Sequence, residues 1–290
     1  MKIVTDSATD INLLPMGDVN IPVIPLKVKV GDSEYLDKVS LTQDAFYKLL
    51  QDTGELPVTS QPSPGEFAKI YRELAKEDPD ILSIHMSSGL SGTHNSAVLA
   101  ADMVTGEANV TVVDTKTLAA AAGWQVWAAV RGIELGWTKE RIVAKLKEIG
   151  DATSSIFTLK ELKYLIHGGR ISHIKGLIAS VLNIKPIIGV HKELGNYFQM
   201  GQEFTFGKAL KHLANTVIEH ADGEKMRVQV VHTGNDAVAR KLQGMIEDAI
   251  SCNWMPLGRM SYVLGAHTGT SMVGVGFAKE SVFDELMPSQ

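Results

Sequence analysis

Asp80-Ile81-Leu82-Ser83-Ile84-His85-Met86 runs without a break into Ser87-Ser88-Gly89-Leu90-Ser91-Gly92-Thr93-His94-Asn95-Ser96-Ala97. The first seven residues form a short apolar run that predicts a strand, and Asn95 to Val104 predicts a helix. The hydroxyl- and glycine-rich stretch therefore lies at a strand's carboxyl end and a helix's start. Strands followed in this way by helices build a mostly parallel, helix-covered sheet. The same junction is an anion-binding geometry. Free N–H groups of a first helical turn, glycines that admit a ligand to the main chain, and the hydroxyls of Ser91 and Thr93 can together hold a carboxylate or phosphate. No Lys or Arg lies within the loop, so negative charge held there is met by dipoles.

Upstream, Lys2 to Val4 reads as a strand ending in Thr5-Asp6-Ser7, and Ile21 to Val30 as an extended run turned back at Gly31-Asp32. Ser63-Pro64-Gly65-Glu66 is a helix start with a serine cap, proline in the first turn and glutamate placed for a capping box. Downstream come a strand over Asn109 to Val113, a helix from Lys116 to Leu135, and a helix from Thr138 to Ile149. Trp124 and Trp127, in an alanine-rich helix, read as core.

Near Ser154 the pattern restarts. Ser155 to Leu159 reads as a strand, Lys160 to Ile166 as a short helix and Gly168-Gly169 as its stop. Ile184 to Val190 and Tyr197 to Phe204 flank a hairpin turn at Glu193-Leu194-Gly195-Asn196. A helix from Gly207 to His220, a strand from Arg227 to Val231, a helix from Asp236 to Ile250, and strands over Arg259 to Leu264 and Met272 to Phe277 follow. His232-Thr233-Gly234-Asn235 forms a second strand–loop–helix junction of small polar residues. The fold class expected is α/β, with domains at 1–152 and 153–290, a mostly parallel first sheet and a mixed second one.

The chain has 290 residues, 44% hydrophobic and 21% charged, enough for two cores of roughly 140 residues each. A net charge of −5 with no Lys/Arg cluster argues against nucleic acid as a partner. A single cysteine, Cys252, rules out an intrachain disulfide and a cysteine zinc cage. The sequence from Met1 enters a strand without a signal-peptide core, and no integral membrane segment of about 20 apolar residues occurs. The expected compartment is the cytoplasm. No Gly-x-x-x-x-Gly-Lys-Ser/Thr loop and no His-Glu-x-x-His spacing is present, and neither metal nor cofactor is expected. Gly89-Leu90-Ser91-Gly92-Thr93 approaches a hydrolase elbow, with Thr93 in place of the last glycine.

Several stretches then match one pattern in order: Val4-Thr5-Asp6-Ser7, Thr59-Ser60-Gln61-Pro62-Ser63, Leu90-Ser91-Gly92-Thr93 with Ser96-Ala97, Val113-Asp114, Gly168-Gly169-Arg170-Ile171-Ser172, Ile184-Lys185-Pro186-Ile187, and His267-x-Gly269. On these residues the chain resembles the DegV family of bacterial fatty-acid-binding proteins, which includes the lipid-carrying subunit of fatty acid kinase. The resemblance implies two α/β domains with a long-chain fatty acid buried between them. It implies that Thr59 and Ser91 hold the carboxylate, with His267 and Arg170 near the head group. Gly92 and Thr93 then supply further donors, and His267 donates or shuttles a proton. Such a protein binds lipid and presents its carboxylate to a separate ATP-dependent kinase, without being an enzyme itself.

Each residue has a plainer reading. Thr59 fits a turn, Ser91 and Thr93 fit a helix cap, His267 a loop histidine, and Arg170 a helix-end cation. An acyl hydrolase with Ser91 as nucleophile and His267 as base is the rival of another class. Relatives carry a basic Arg-Thr-Arg-like run where this chain has Phe204-Thr205-Phe206, which puts kinase docking in doubt. His94 stands where an aromatic such as tyrosine is usual, and the sequence leaves its role open.

Overall fold

The computed structural model describes residues 1–17, 19–173 and 184–287. The chain opens with β1 (Lys2–Asp6), and the Asp6 carboxylate accepts from the Ala8 N–H to start a 3-10 turn over Ser7–Thr9. The extended run from Ile21 is divided between β2 (Val23–Ile24) and β3 (Lys27–Val30), which lie in different sheets. Pro25 lies between them and has no N–H to continue a ladder. β3 turns back at Gly31, whose φ of +58° suits glycine, into β4 (Ser33–Leu36). Next come α1 (Gln43–Thr53), β5 (Val58–Ser60) and α2 (Pro64–Ala75), the last with the expected Ser63–Glu66 capping box. β6 (Asp80–His85), α3 (Thr93–Met103), β7 (Asn109–Asp114), α4 (Ala119–Glu134) and α5 (Lys139–Ala152) complete the first half. α4 starts three residues later than expected because Lys116 takes a left-handed φ of 55°.

The second half contains β8 (Ser154–Thr158), α6 (Lys163–His167), β9 (Lys185–Val190), β10 (Tyr197–Glu203) and α7 (Phe206–Ala221). It continues with β11 (Met226–His232), α8 (Asp236–Glu247), β12 (Cys252–Trp254), β13 (Gly258–Arg259), α9 (Tyr262–Thr268) and β14 (Val273–Lys279).

These strands make a parallel four-stranded sheet β2-β1-β6-β7 and a mixed sheet β10-β9-β8-β14-β11-β12, with β13 also beside β11. A third, antiparallel sheet β4-β3-β5 was not foreseen. The fold is thus α/β with a parallel first sheet and a mixed second one, as the sequence implied.

One element is corrected. Arg259 to Leu264 is not a strand: only Gly258–Arg259 pairs, and the chain then forms α9. Every residue of α9 is buried, so its sequence shows no amphipathic period. Its start is held by carboxylates remote in sequence. The Ser261 N–H donates to Asp10 (2.9 Å), and the N–H groups of Tyr262 and Val263 donate to Asp37 (3.1 and 3.3 Å).

The largest apolar cluster draws on both halves, joining Phe46, Leu50 and Leu118 to Phe157, Tyr197 and Met272. Trp124 is fully buried, its indole N–H donating to Gln229 Oε1 at 2.9 Å, so it is core as expected.

Candidate functional site

Thr59 is the middle residue of β5, paired with Val28 of β3, and is less exposed than Val58 and Ser60 on the other face. Its hydroxyl lies 2.8 Å from His267 Nε2. His267 rides in the last turn of α9, 9% exposed, with Gly168 pressed against its ring. A Cβ at Gly168 would collide with His267 Nδ1, so the α6 stop needs glycine for this close approach. Burial, with Arg170 and His167 nearby, pushes the His267 pKa down to about 3. The imidazole is therefore neutral near pH 7, and its buried Nδ1 has no hydrogen-bond partner among the described residues.

The loop after β6 is held from three sides. Asp6 Oδ2 accepts from the Met86 N–H (2.9 Å) and contacts His85 Nδ1 at 3.0 Å. Asp114 accepts from the Ser88 N–H at 3.2 Å and from the Ser88 hydroxyl, and Lys116 Nζ lies 2.9 Å from the same carboxylate. Those hydrogen bonds hold Asp114 below the usual carboxylate range, against the effect of its burial. Arg170 donates to the carbonyls of Leu90 (3.2 Å) and Gly168 (2.7 Å), tying the end of α6 to the loop. It is half-buried, and burial lowers its pKa. Its visible work is to clamp main chain, with His267 close enough to feel its charge.

Ser91 Oγ lies 2.9 Å from Thr93 Oγ1 and accepts from the Thr93 N–H at 3.3 Å. Gly92 occupies the cap position of α3 and brings no side-chain acceptor. The N–H groups of His94 and Asn95 lie in the first turn, where no preceding turn offers a carbonyl. A Cβ on Gly92 would come 2.9 Å from Gln61 Nε2. Gln61, two residues beyond Thr59, thus bridges toward the loop. It stood in the quoted Thr59-Ser60-Gln61 motif but was not singled out, because an exposed amide carries no distinctive chemistry in a sequence. His94 is half-buried and meets the Asn95 side chain at 3.4 Å.

Beside this polar group lies a narrow apolar cavity of about 40 Å³. Its walls come from Ala119–Ala121 at the start of α4, from Phe157, Tyr197 and Met272, and from Gly274 and Gly276 of β14. Thr268, the residue after His267, is also in its wall.

The hydrolase pairing does not form, since Ser91 is engaged with Thr93 and His267 with Thr59. Among the described residues no group of three or more His, Cys, Asp and Glu is placed to hold a metal ion, and no helix is long and apolar enough to cross a membrane. Of the two phenylalanines, Phe204 is 74% exposed. Phe206 instead packs on the core beneath α7, with Lys160 Nζ 5.3 Å from its ring centroid. The first turn of α7, capped by Thr205, turns that side chain inward.

A family model described as that of uncharacterised DegV-family proteins matches residues 1–280. The chain belongs to the DegV family. A DegV domain-containing protein of Staphylococcus aureus is 34% identical over 279 residues, covering 96% of this chain and 98% of that one. Among solved structures, a DegV-family protein of Thermus thermophilus, described by its fatty acid binding, superposes with a TM-score of 0.86 at 29% identity, covering 96% and 99% of the two chains. DegV of Bacillus subtilis, described as a fatty acid binding protein, gives 0.84 at 28% identity with the same coverage.

Proposed function

We propose that this chain binds a long-chain fatty acid between two α/β domains, 1–152 and 153–290, and presents its carboxylate to a separate ATP-dependent kinase. The observation that carries the reading is the adjacency of an apolar cavity and a hydroxyl-rich polar group, joined through His267 and Thr268. A neutral imidazole with Nε2–H donating to Thr59 Oγ1 leaves the threonine proton free to donate to a carboxylate. Ser91, Thr93 and the first-turn N–H groups of α3 supply the remaining donors, which keep the carboxylate ionised away from water. Arg170 fixes the loop and contributes positive charge. Affinity resides in the acyl chain: at about 0.8 kcal/mol per buried methylene, ten methylenes offer about 8 kcal/mol before entropy costs, against roughly 1 kcal/mol for an ordinary hydrogen bond. The fatty-acid binding described for the Thermus and Bacillus relatives supports the ligand class.

Mass spectrometry of a denaturing extract of purified protein tests the reading. A stoichiometric long-chain fatty acid is expected. Preparations that stay free of lipid after incubation with excess palmitate would overturn it, as would a covalent acyl adduct at Ser91 that disappears in Ser91→Ala.

A further inference from the structure

α9 carries His267 at one end and rests on two carboxylates at the other. Asp10 Oδ1 accepts from the Ser261 N–H (2.9 Å) and from Lys38 Nζ (2.6 Å), and Asp37 Oδ1 accepts from the N–H groups of Tyr262 and Val263. Among the described residues the other oxygen of each, Oδ2, is buried without a hydrogen-bond partner, and so are Tyr47 OH and Ser261 Oγ. Tyr47 OH sits over Gly265 of α9, where a Cβ would collide with it. Lys38 pairs with Asp10 and also donates to Asn12 Oδ1 (2.7 Å), and it reaches Asp37 through its charge alone.

We propose that Asp10 and Asp37 are positioning residues for the head-group site, one of the two protonated, and that through α9 they set where His267 stands. This rests on the reading of Thr59 and His267 as head-group residues. A proton on one Oδ2 removes one of two buried like charges. Without it, both carboxylates are ionised beside a single lysine and the N-terminal seat of α9 is pushed apart. α9 has seven residues, all buried, so a shift at its seat reaches the His267–Thr59 bond one turn further on.

The groups facing the pair are Lys38 from its own turn, Asp6 from β1, Ser7, Tyr47 from α1, and Tyr262 from α9, whose hydroxyl donates to the Leu36 carbonyl. Arg259, over the Tyr47 ring, is held by Asp44. Burial raises both carboxyls, Asp37 to about 7, with Lys38 and the Ser7 hydroxyl opposing the rise and Asp10 adding to it.

The test is the affinity of the wild type, Asp37→Asn and Asp37→Ala for cis-parinaric acid, a fluorescent fatty acid, between pH 6 and 8.5. His267 imidazole ¹⁵N shifts of the ligand-free proteins are followed in parallel. Wild-type affinity should fall on the order of fivefold or more as pH rises through about 7, and the His267 shifts should move with the same midpoint. Asp37→Asn, neutral and still able to accept from α9, should hold the low-pH affinity throughout and show flat shifts. Asp37→Ala should bind weakly at every pH. A wild type with pH-independent His267 shifts, or an Asn variant that keeps the wild-type midpoint, overturns the proposal. If the wild type binds no fatty acid at any pH, the ligand reading fails, and the His267 shifts alone decide whether the carboxyl pair sets the histidine.

Discussion

Two strand–loop–helix junctions share one kind of sequence: Met86-Ser87-Ser88-Gly89 leading into α3, and His232-Thr233-Gly234-Asn235 leading into α8. The second closes on itself. Asn235 Oδ1 caps the Val238 N–H (3.3 Å), His232 Nδ1 accepts from the Asn235 N–H (3.1 Å), and Thr233 Oγ1 accepts from the Met272 N–H (3.1 Å). The first does not. Glycine stands at its cap, the Ser91 and Thr93 hydroxyls pair with each other, and its surroundings are Gln61, Arg170 and, through β5, the Thr59–His267 pair. The same small polar residues make a finished helix cap in one place and an open donor array in the other. What differs is whether the capping acceptor is local.

The sharpest way to break this comparison is to fill the glycines. A Cβ at Gly89 would collide with the Leu194 carbonyl and stand 2.8 Å from Gly195 C, both backbone, whereas one at Gly234 meets its nearest atom, the Thr270 carbonyl, at 3.1 Å. Gly89→Ala should cost about 3 kcal/mol in urea unfolding and Gly234→Ala under about 1 kcal/mol. Equal losses would show that the first loop is no more tightly docked than the second.

The histidines separate the junctions by pH. His267 is buried with its pKa pushed to about 3, below an unfolded value near 6.5. The unfolded chain therefore takes up a proton that the folded chain refuses, and the stability present above pH 6.5 is lost as pH falls toward 3. At pH 5 the loss attributable to His267 is about 2 kcal/mol, read as the difference in acid sensitivity between the wild type and His267→Gln. Measuring a difference matters because the raised Asp37 acts with the opposite sign, weakening the fold as pH rises from about 4 to about 7. His232 is lowered too, but the Asp236 carboxylate opposes its burial, so His232→Gln should remove less of the acid sensitivity.

Thr59→Val removes one partly buried hydrogen bond and Thr233→Val one buried hydrogen bond, and each should cost about 1–2 kcal/mol of stability. Only Thr59→Val should also weaken palmitate binding, by roughly tenfold, since only it leaves His267 without its partner. Loss of binding in both would mean that the two junctions serve one site.

The smallest stability effects belong to the surface. Phe204→Arg should change stability by no more than about 0.5 kcal/mol, while Phe206→Arg should cost more because its ring packs on the core. If the missing basic run limits kinase docking, Phe204→Arg alone should raise acyl-phosphate formation by a relative's kinase at low salt, with the gain lost at high salt. Efficient wild-type phosphorylation indifferent to salt would remove the basic run from the account.

The sequence by itself determined the elements whose signals are local. The Ser63–Glu66 capping box, the Thr138 cap, the hairpin before Tyr197 and the β6–α3 junction all depend on residues within a few positions of one another, and so did the motifs from which the DegV family was read. Tertiary structure alone decided α9, because a helix buried on every side has no amphipathic period and its capping groups, Asp10 and Asp37, lie more than 220 residues away. It also decided which partner each polar side chain takes. Thr59 and His267, separated by 208 positions, meet only because β5 and α9 pack together, and Phe206 turns inward only because α7 lies on an apolar cluster. Local propensity is written along the chain, whereas the pairing of buried polar groups is set by what burial brings within hydrogen-bond reach.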